Sequence, residues 1–180
     1  VVVLGPGAMG NDSAQIAKIT GAGRVIMTGT REERLEMGRK VGVDVTIKVR
    51  EENPFERVME LTNVVGADMV IECTGQPGPV VEAFDMIRKN GRLSINGVYH
   101  QPVAIPLNKI VQWNMIITGP KAEGGWAMER AIPLLADGRL NLKPLITHKF
   151  SLDDVNEALD TFIQRKGGAM KVILKPGGVA

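Results

Sequence analysis

"VVVLGPGAMG", residues 1–10, runs three valines and a leucine straight into three glycines spaced G-x-G-x-x-G. An apolar, β-branched run of this length reads as a buried strand, and "AMGNDSAQIAKITG" (8–21) reads as the helix that follows it. Alone, the glycine spacing says little. Between a strand and a helix it is the fingerprint of a turn that receives a dinucleotide pyrophosphate. Gly5 permits the tight turn, Gly7 lets the backbone approach a phosphate that a Cβ would displace, and Gly10 lets the helix lie close to the strand. Ala8 and Met9 take the first helical positions, where N–H groups lack a partner within the helix and a partial positive charge suits an anion. Met9, Ala14, Ile16, Ala17 and Ile19 are the apolar candidates of this helix, and Asn11, Asp12 and Ser13 read as a solvated face.

The rest of the chain repeats that rhythm. Strand-like runs occur at 24–29, 44–49, 67–75, 91–98 and 115–119, separated by helical stretches at 30–42, 53–62, 78–91, 106–114 and 123–138. Thr30 and Glu33 form a capping-box pattern, Pro54 falls in a first helical turn, Asn90-Gly91 closes the helix at 78–91, and Pro133 is expected to kink the one at 123–138. Six strands alternating with helices predict an α/β fold with a parallel sheet covered on both faces. Right-handed crossovers make it a doubly wound Rossmann sheet with strand order 3-2-1-4-5-6, assigned to residues 1–143.

From residue 144 the pattern changes. "PLITHKFSLDDVNEALDTFIQRKGGAMKVILKPGG" reads as a loop, a helix and a lone strand at Val172, Ile173 and Leu174, with no sheet of its own. Ser151 is placed to cap the helix, with Asp154 three residues on. Leu152, Val155, Ala158, Leu159 and Phe162 form its apolar stripe.

Composition excludes several classes. Lys and Arg number 22 against 20 Asp and Glu, a net charge of +2, with no basic run or aromatic platform of the kind nucleic-acid binding needs. No apolar stretch approaches the roughly 20 residues of a membrane span. The single cysteine, Cys73, cannot form an internal disulfide, which fits a reducing, cytoplasmic setting. One cysteine and two distant histidines, His100 and His148, do not make a zinc site, and no catalytic residue is assigned. Cys73 reads as a small buried side chain, His148 as a packing or capping residue at a domain junction, and His100 as part of a surface loop.

An NAD-preferring domain carries Asp or Glu at the end of its second strand, on the ribose hydroxyls. Here that place reads "MTGTREER": Gly29 replaces the acid and leaves room for a 2′-phosphate, while Thr30, Arg31 and Arg34 offer a hydroxyl and two guanidiniums to hold it. NADP is therefore expected ahead of NAD, with Glu32 and Glu33 diluting the positive field.

With "GADMVIECTG", "NGRLSINGV" and the closing "LITHKFSLDDVNEALDTF…KVILKP", the whole chain resembles the C-terminal, coenzyme-binding half of medium-chain dehydrogenases of the zinc-type alcohol and polyol kind. The resemblance implies hydride transfer between an alcohol carbon and a nicotinamide, with NADP or NAD as cofactor and zinc held in a catalytic domain ahead of this one. It matches Gly5, Gly7 and Gly10 to the pyrophosphate loop, and Gly29, Thr30 and Arg31 to a motif of NADP-using members. Cys73, Thr74 and Gly75 match the strand end beside adenine and ribose. Asn96, Gly97 and Val98 match the stretch facing the nicotinamide amide, where an apolar residue is more usual than Asn96. Thr118, Gly119 and Pro120 match a second contact on that side.

The resemblance also implies a homodimer or tetramer built on the strand edge Met115–Gly119. The start at Val1 without a methionine is read as a cut or engineered piece, inactive on its own, whose tail would be mobile, dimer-bound or repacked without its usual neighbours. A metal-free quinone or enoyl reductase of the same superfamily, and a non-catalytic nucleotide-sensing module, are the alternative readings.

Overall fold

The computed structural model describes residues 1–121 and 126–178, so positions 123–125 of the expected helix at 123–138 lie outside it. The chain divides into two compact units, Val1–Leu140 and Asn141–Ala180.

In the first unit, strands β1 (Val2–Leu4), β2 (Ile26–Gly29), β3 (Val45–Lys48), β4 (Ala67–Glu72), β5 (Ile87–Ile95) and β6 (Ile116–Thr118) alternate with helices α1 (Ala8–Ile19), α2 (Glu32–Lys40), α3 (Pro54–Leu61), α4 (Pro77–Met86), α5 (Leu107–Gln112) and α6 (Trp126–Ala136). The six strands form one sheet of order β3-β2-β1-β4-β5-β6, every pair parallel. Val3 of β1 lies level with Met27 of β2 and Ile71 of β4. Because helices cover both faces, β1 is apolar throughout instead of alternating. Val2, Leu4, Ile26 and Val70 pack with Ala83 and Phe84 of α4 on one side; Val3, Met27 and Ile71 pack with Ala14, Ala17 and Leu35 on the other.

Several local readings are corrected. On α1, Met9 and Ile16 are exposed, while Gly10, Ala14 and Ala17 supply a contact stripe of small residues that suits a close approach to the sheet. The helix expected at 78–91 ends at Met86. Ile87 turns extended, is buried, and pairs with Ala67 as the first residue of β5, so Asn90-Gly91 marks an irregularity inside a strand and not a helix terminus. The second helix has Arg31 at its N-cap with no side-chain cap, so Thr30 and Glu33 form no capping box; Glu32 instead pairs with Arg39, which also holds Glu36 and Thr46. By contrast, the side chain of Asn53 caps α3, accepting from the N–H of Phe55 at 3.0 Å, with Pro54 in the first turn. Pro133 lies within α6.

The second unit does have a sheet. Strands β7 (Ile146–Ser151) and β8 (Lys171–Lys175) pair in parallel on either side of α7 (Val155–Gln164), with Ile173 opposite Lys149 and Leu174 opposite Phe150. The segment read as a loop is therefore a strand, and Val172, Ile173 and Leu174 find neighbours within the same unit. Thr147 ties the pair: its hydroxyl accepts from the N–H of Met170 at 2.9 Å and donates to the carbonyl of Lys171 at 3.2 Å. Ser151 does not cap α7; Asp154 stands at the N-cap without a side-chain cap bond, and the Ser151 hydroxyl donates to its carboxylate at 2.7 Å. His148 contacts Thr147 and stacks on Phe150.

Candidate functional site

The turn after β1 is stitched to the next strand by the Gly5 N–H, which donates to the carbonyl of Thr28 at 3.1 Å, and Gly5 takes a φ of +102°. Helix α1 begins at Ala8 with no side-chain cap and no acid in its first turn, so its N-terminal amides and partial charge stay available to an anion. Gly7 and Gly10 do different jobs. A Cβ on Gly7 would meet nothing within 4 Å, whereas one on Gly10 would drive into the carbonyl oxygen of Gly5. Gly10 thus draws the helix onto the turn, and Gly7 keeps the space ahead of it clear.

That close approach places the next residue under the turn. Asn11 is fully buried, and its amide donates to the carbonyls of Gly7 at 2.8 Å and Pro6 at 3.2 Å. The expected solvated face at 11–13 is therefore wrong: Asn11 pins the glycine turn from beneath, and Asp12 and Ser13 are half-buried. Ser13 Oγ lies 3.8 Å from Cys73 Sγ.

At the end of β2, Gly29 is buried, and a Cβ there would come within 2.5 Å of Pro6 Cγ and 3.0 Å of Leu35 Cδ2. The space that a side chain on Gly29 would need is taken by the ring of Pro6. The open side lies over Thr30 and Arg31, both exposed, with Arg34 half-buried. Because Glu32 is engaged with Arg39, part of the negative charge thought to dilute this corner is paired.

The ends of β4 and β5 complete the crevice. A Cβ on Gly5 would lie 2.8 Å from Thr74 Cγ2, and one on Gly75 would lie 2.6 Å from the carbonyl oxygen of Val98. Gly97 sits against the Glu72 carboxylate and Gly75. The structure thus brings Gly5, Thr74, Gly75, Gly97 and Val98 together. Asn96 is half-buried with its side-chain oxygen accepting from Ser94 at 2.8 Å, and Val98 is 78% exposed. Thr118 stands one strand further out, opposite Ser94 in register. His100 is exposed. Burial pushes the Cys73 thiol up to about 11, so it is neutral at pH 7.

Three contributors escaped the sequence reading: Asn11, Glu72 and Tyr99. Glu72 carried a visible signal, a lone acid inside the apolar run "MVIECTG". It is fully buried at the end of β4 and accepts from the N–H and hydroxyl of Thr74, the N–H of Gly75 and the hydroxyl of Tyr99. The Tyr99 hydroxyl is held above its ordinary pKa by burial and by that carboxylate.

These features fit a dinucleotide: open space and helix amides at the glycine turn, and the ends of β1, β2, β4 and β5 around one crevice at the point where strand order reverses. They do not fit zinc, because no three His, Cys, Asp or Glu among the described residues gather as a ligand set.

Comparison with known proteins agrees with the geometry. The model of the family described as zinc-binding dehydrogenase matches residues 8–137. A sorbitol dehydrogenase of Halalkalibacterium halodurans is 35% identical over 179 residues, covering 98% of this chain and 51% of that protein. An L-threonine 3-dehydrogenase of Bacillus subtilis is 33% identical, with 97% and 50% covered. The structure of the alcohol dehydrogenase TADH from Thermus sp. ATN1 superposes with a TM-score of 0.90 at 28% identity, over 97% of this chain and 50% of that one. The chain spans about half the length of the curated relatives it matches. With its six-stranded Rossmann sheet and a family match across most of its length, the chain belongs to the zinc-binding dehydrogenases, as their coenzyme-binding half.

Proposed function

We propose that the first unit binds a nicotinamide dinucleotide across the carboxyl ends of its strands, as the coenzyme half of a dehydrogenase acting on a small alcohol or polyol. One observation carries the reading: α1 opens uncapped behind the Gly5–Gly7 turn, with clear space ahead of Gly7 and the turn locked by Gly10 and Asn11. The pyrophosphate rests on the first amides of α1. Gly5, Gly7, Ala8, Met9 and Gly10 line that contact; Cys73, Thr74 and Gly75 border the ribose, and Asn96, Gly97, Val98 and Thr118 border the nicotinamide. The cofactor, when bound, supplies a hydride acceptor or donor at its nicotinamide ring. The described residues orient it; in this reading zinc is held by another part of the protein, and this chain alone binds coenzyme without turning over substrate.

NADP is the preferred form in this reading. Arg31 and Thr30 are exposed at the β2 corner, Arg34 is near in sequence, and Glu32 is held by Arg39. The test is titration of wild type and Arg31→Ala with NADP and NAD. Loss of a charge-assisted contact to the 2′-phosphate is expected to weaken NADP about tenfold or more and leave NAD within about twofold. Equal losses for both would remove the NADP assignment.

The outermost strand β6, with Ile116 47% exposed, supports a homodimer or tetramer through the Met115–Gly119 edge. A cytoplasmic location belongs to the same reading.

A further inference from the structure

Among the described residues Glu72 is the one charged side chain that is fully buried. Taking a carboxylate out of water costs several kcal/mol unless hydrogen bonds replace its hydration. Here they do, and all come from the strand ends that border the crevice. Its carboxylate accepts from the N–H of Thr74 at 2.5 Å, the N–H of Gly75 at 3.2 Å, and the hydroxyls of Thr74 and Tyr99. Its backbone carbonyl accepts from the N–H groups of Asn96 at 2.8 Å and Gly97 at 3.1 Å. Thr74 lies against Gly5, and Gly97 lies against the Glu72 carboxylate itself. One residue therefore joins the loop after β4 to the loop after β5 and presses the first against the glycine turn. The half of the crevice at β1–β3 is held by other groups, Asn11 beneath the turn and Pro6 against Gly29.

We propose that Glu72 is a positioning residue for the nicotinamide half of the dinucleotide. It touches no ligand, being inaccessible. It holds Gly97 and Val98, which border the nicotinamide in the proposed function, in contact with Gly75 at the end of the neighbouring strand. Tyr99 serves it by donating to the carboxylate from the far side. The inference rests on the dinucleotide reading above and adds a division of labour within it.

The experiment compares a whole cofactor with its adenosine part. NADP and 2′,5′-ADP are titrated by calorimetry into the wild-type chain, Glu72→Gln and Tyr99→Phe, with thermal unfolding in parallel. In Glu72→Gln an amide donor faces donors, and NADP is expected to weaken about tenfold while 2′,5′-ADP stays within about twofold. Tyr99→Phe deletes one donor and is expected to shift NADP in the same direction by about threefold, again sparing 2′,5′-ADP. If Glu72→Gln does not fold, Tyr99→Phe decides alone. Parallel losses for both ligands, or unchanged NADP binding, overturn the positioning role while leaving the dinucleotide reading standing. A folded wild type that binds neither ligand overturns that reading first, and this inference with it.

Discussion

Pro6 in the glycine turn packs directly on Gly29 at the end of β2, so that a Cβ on Gly29 would come within 2.5 Å of the proline ring. The end of β2 and the glycine turn, to which the proposed function gives coenzyme choice and the pyrophosphate, are thus in contact. Gly29→Asp alone, the obvious route to NAD preference, is expected to displace Pro6 and weaken both coenzymes. Pro6→Ala with Gly29→Asp relieves the clash and places a carboxylate at the ribose. The double variant is expected to favour NAD by about tenfold over the wild-type ratio, from repulsion of the 2′-phosphate and bonding to the free hydroxyls. Paired titrations decide it; a single Gly29→Asp variant that binds NAD better than wild type would show that the proline yields easily.

Gly10 admits no side chain, because a Cβ would enter the Gly5 carbonyl. Gly10→Ala must push α1 off the sheet, with a cost of about 1–3 kcal/mol. Urea unfolding measures the loss. Dinucleotide binding should fall further than stability, since the displaced helix carries the phosphate-facing amides with it.

Asn11→Ala tests the support beneath the turn. It strips a buried donor from the carbonyls of Gly7 and Pro6. The expected cost is about 1–3 kcal/mol in urea unfolding, with weaker binding of NADP and NAD alike. A solvated Asn11 would lose almost nothing.

Cys73 offers a pH signature. Its thiol is pushed up to about 11, mainly by burial, from an ordinary value of 9.0. A group with a raised folded-state pKa adds stability that is whole below the unfolded value and lost as pH rises through the folded one. The wild type should therefore lose stability relative to Cys73→Ala between about pH 9 and pH 11. The thiol should also react with a disulfide reagent at pH 8 more slowly than in the unfolded chain, by on the order of a hundredfold, because the thiolate is the nucleophile. Equal rates folded and unfolded would show the sulfur to be freely accessible.

Much of the first unit was legible from the order of residues, and for local reasons. Strand and helix periods, the spacing of Gly5, Gly7 and Gly10, and the Asn53-Pro54 start of α3 are patterns held within a few residues. With the right-handed crossover rule they lead to the strand order found. The misreadings share one feature. Ile87 was placed at the end of a helix because Asn90-Gly91 looks like a stop, but burial beside Ala67 draws it into β5. The segment at 146–151 looked like a loop until its partner, more than twenty residues on, was in place as β8.

The sequence by itself determined the sheet, its topology and the glycine turn after β1, because each follows from short-range periodicity and backbone sterics. Only the tertiary structure decided what holds that turn. Asn11 under Gly7, Pro6 against Gly29, and Glu72 between the loops after β4 and β5 are contacts across elements. A polar side chain is worth burying only where distant backbone groups converge to replace its water.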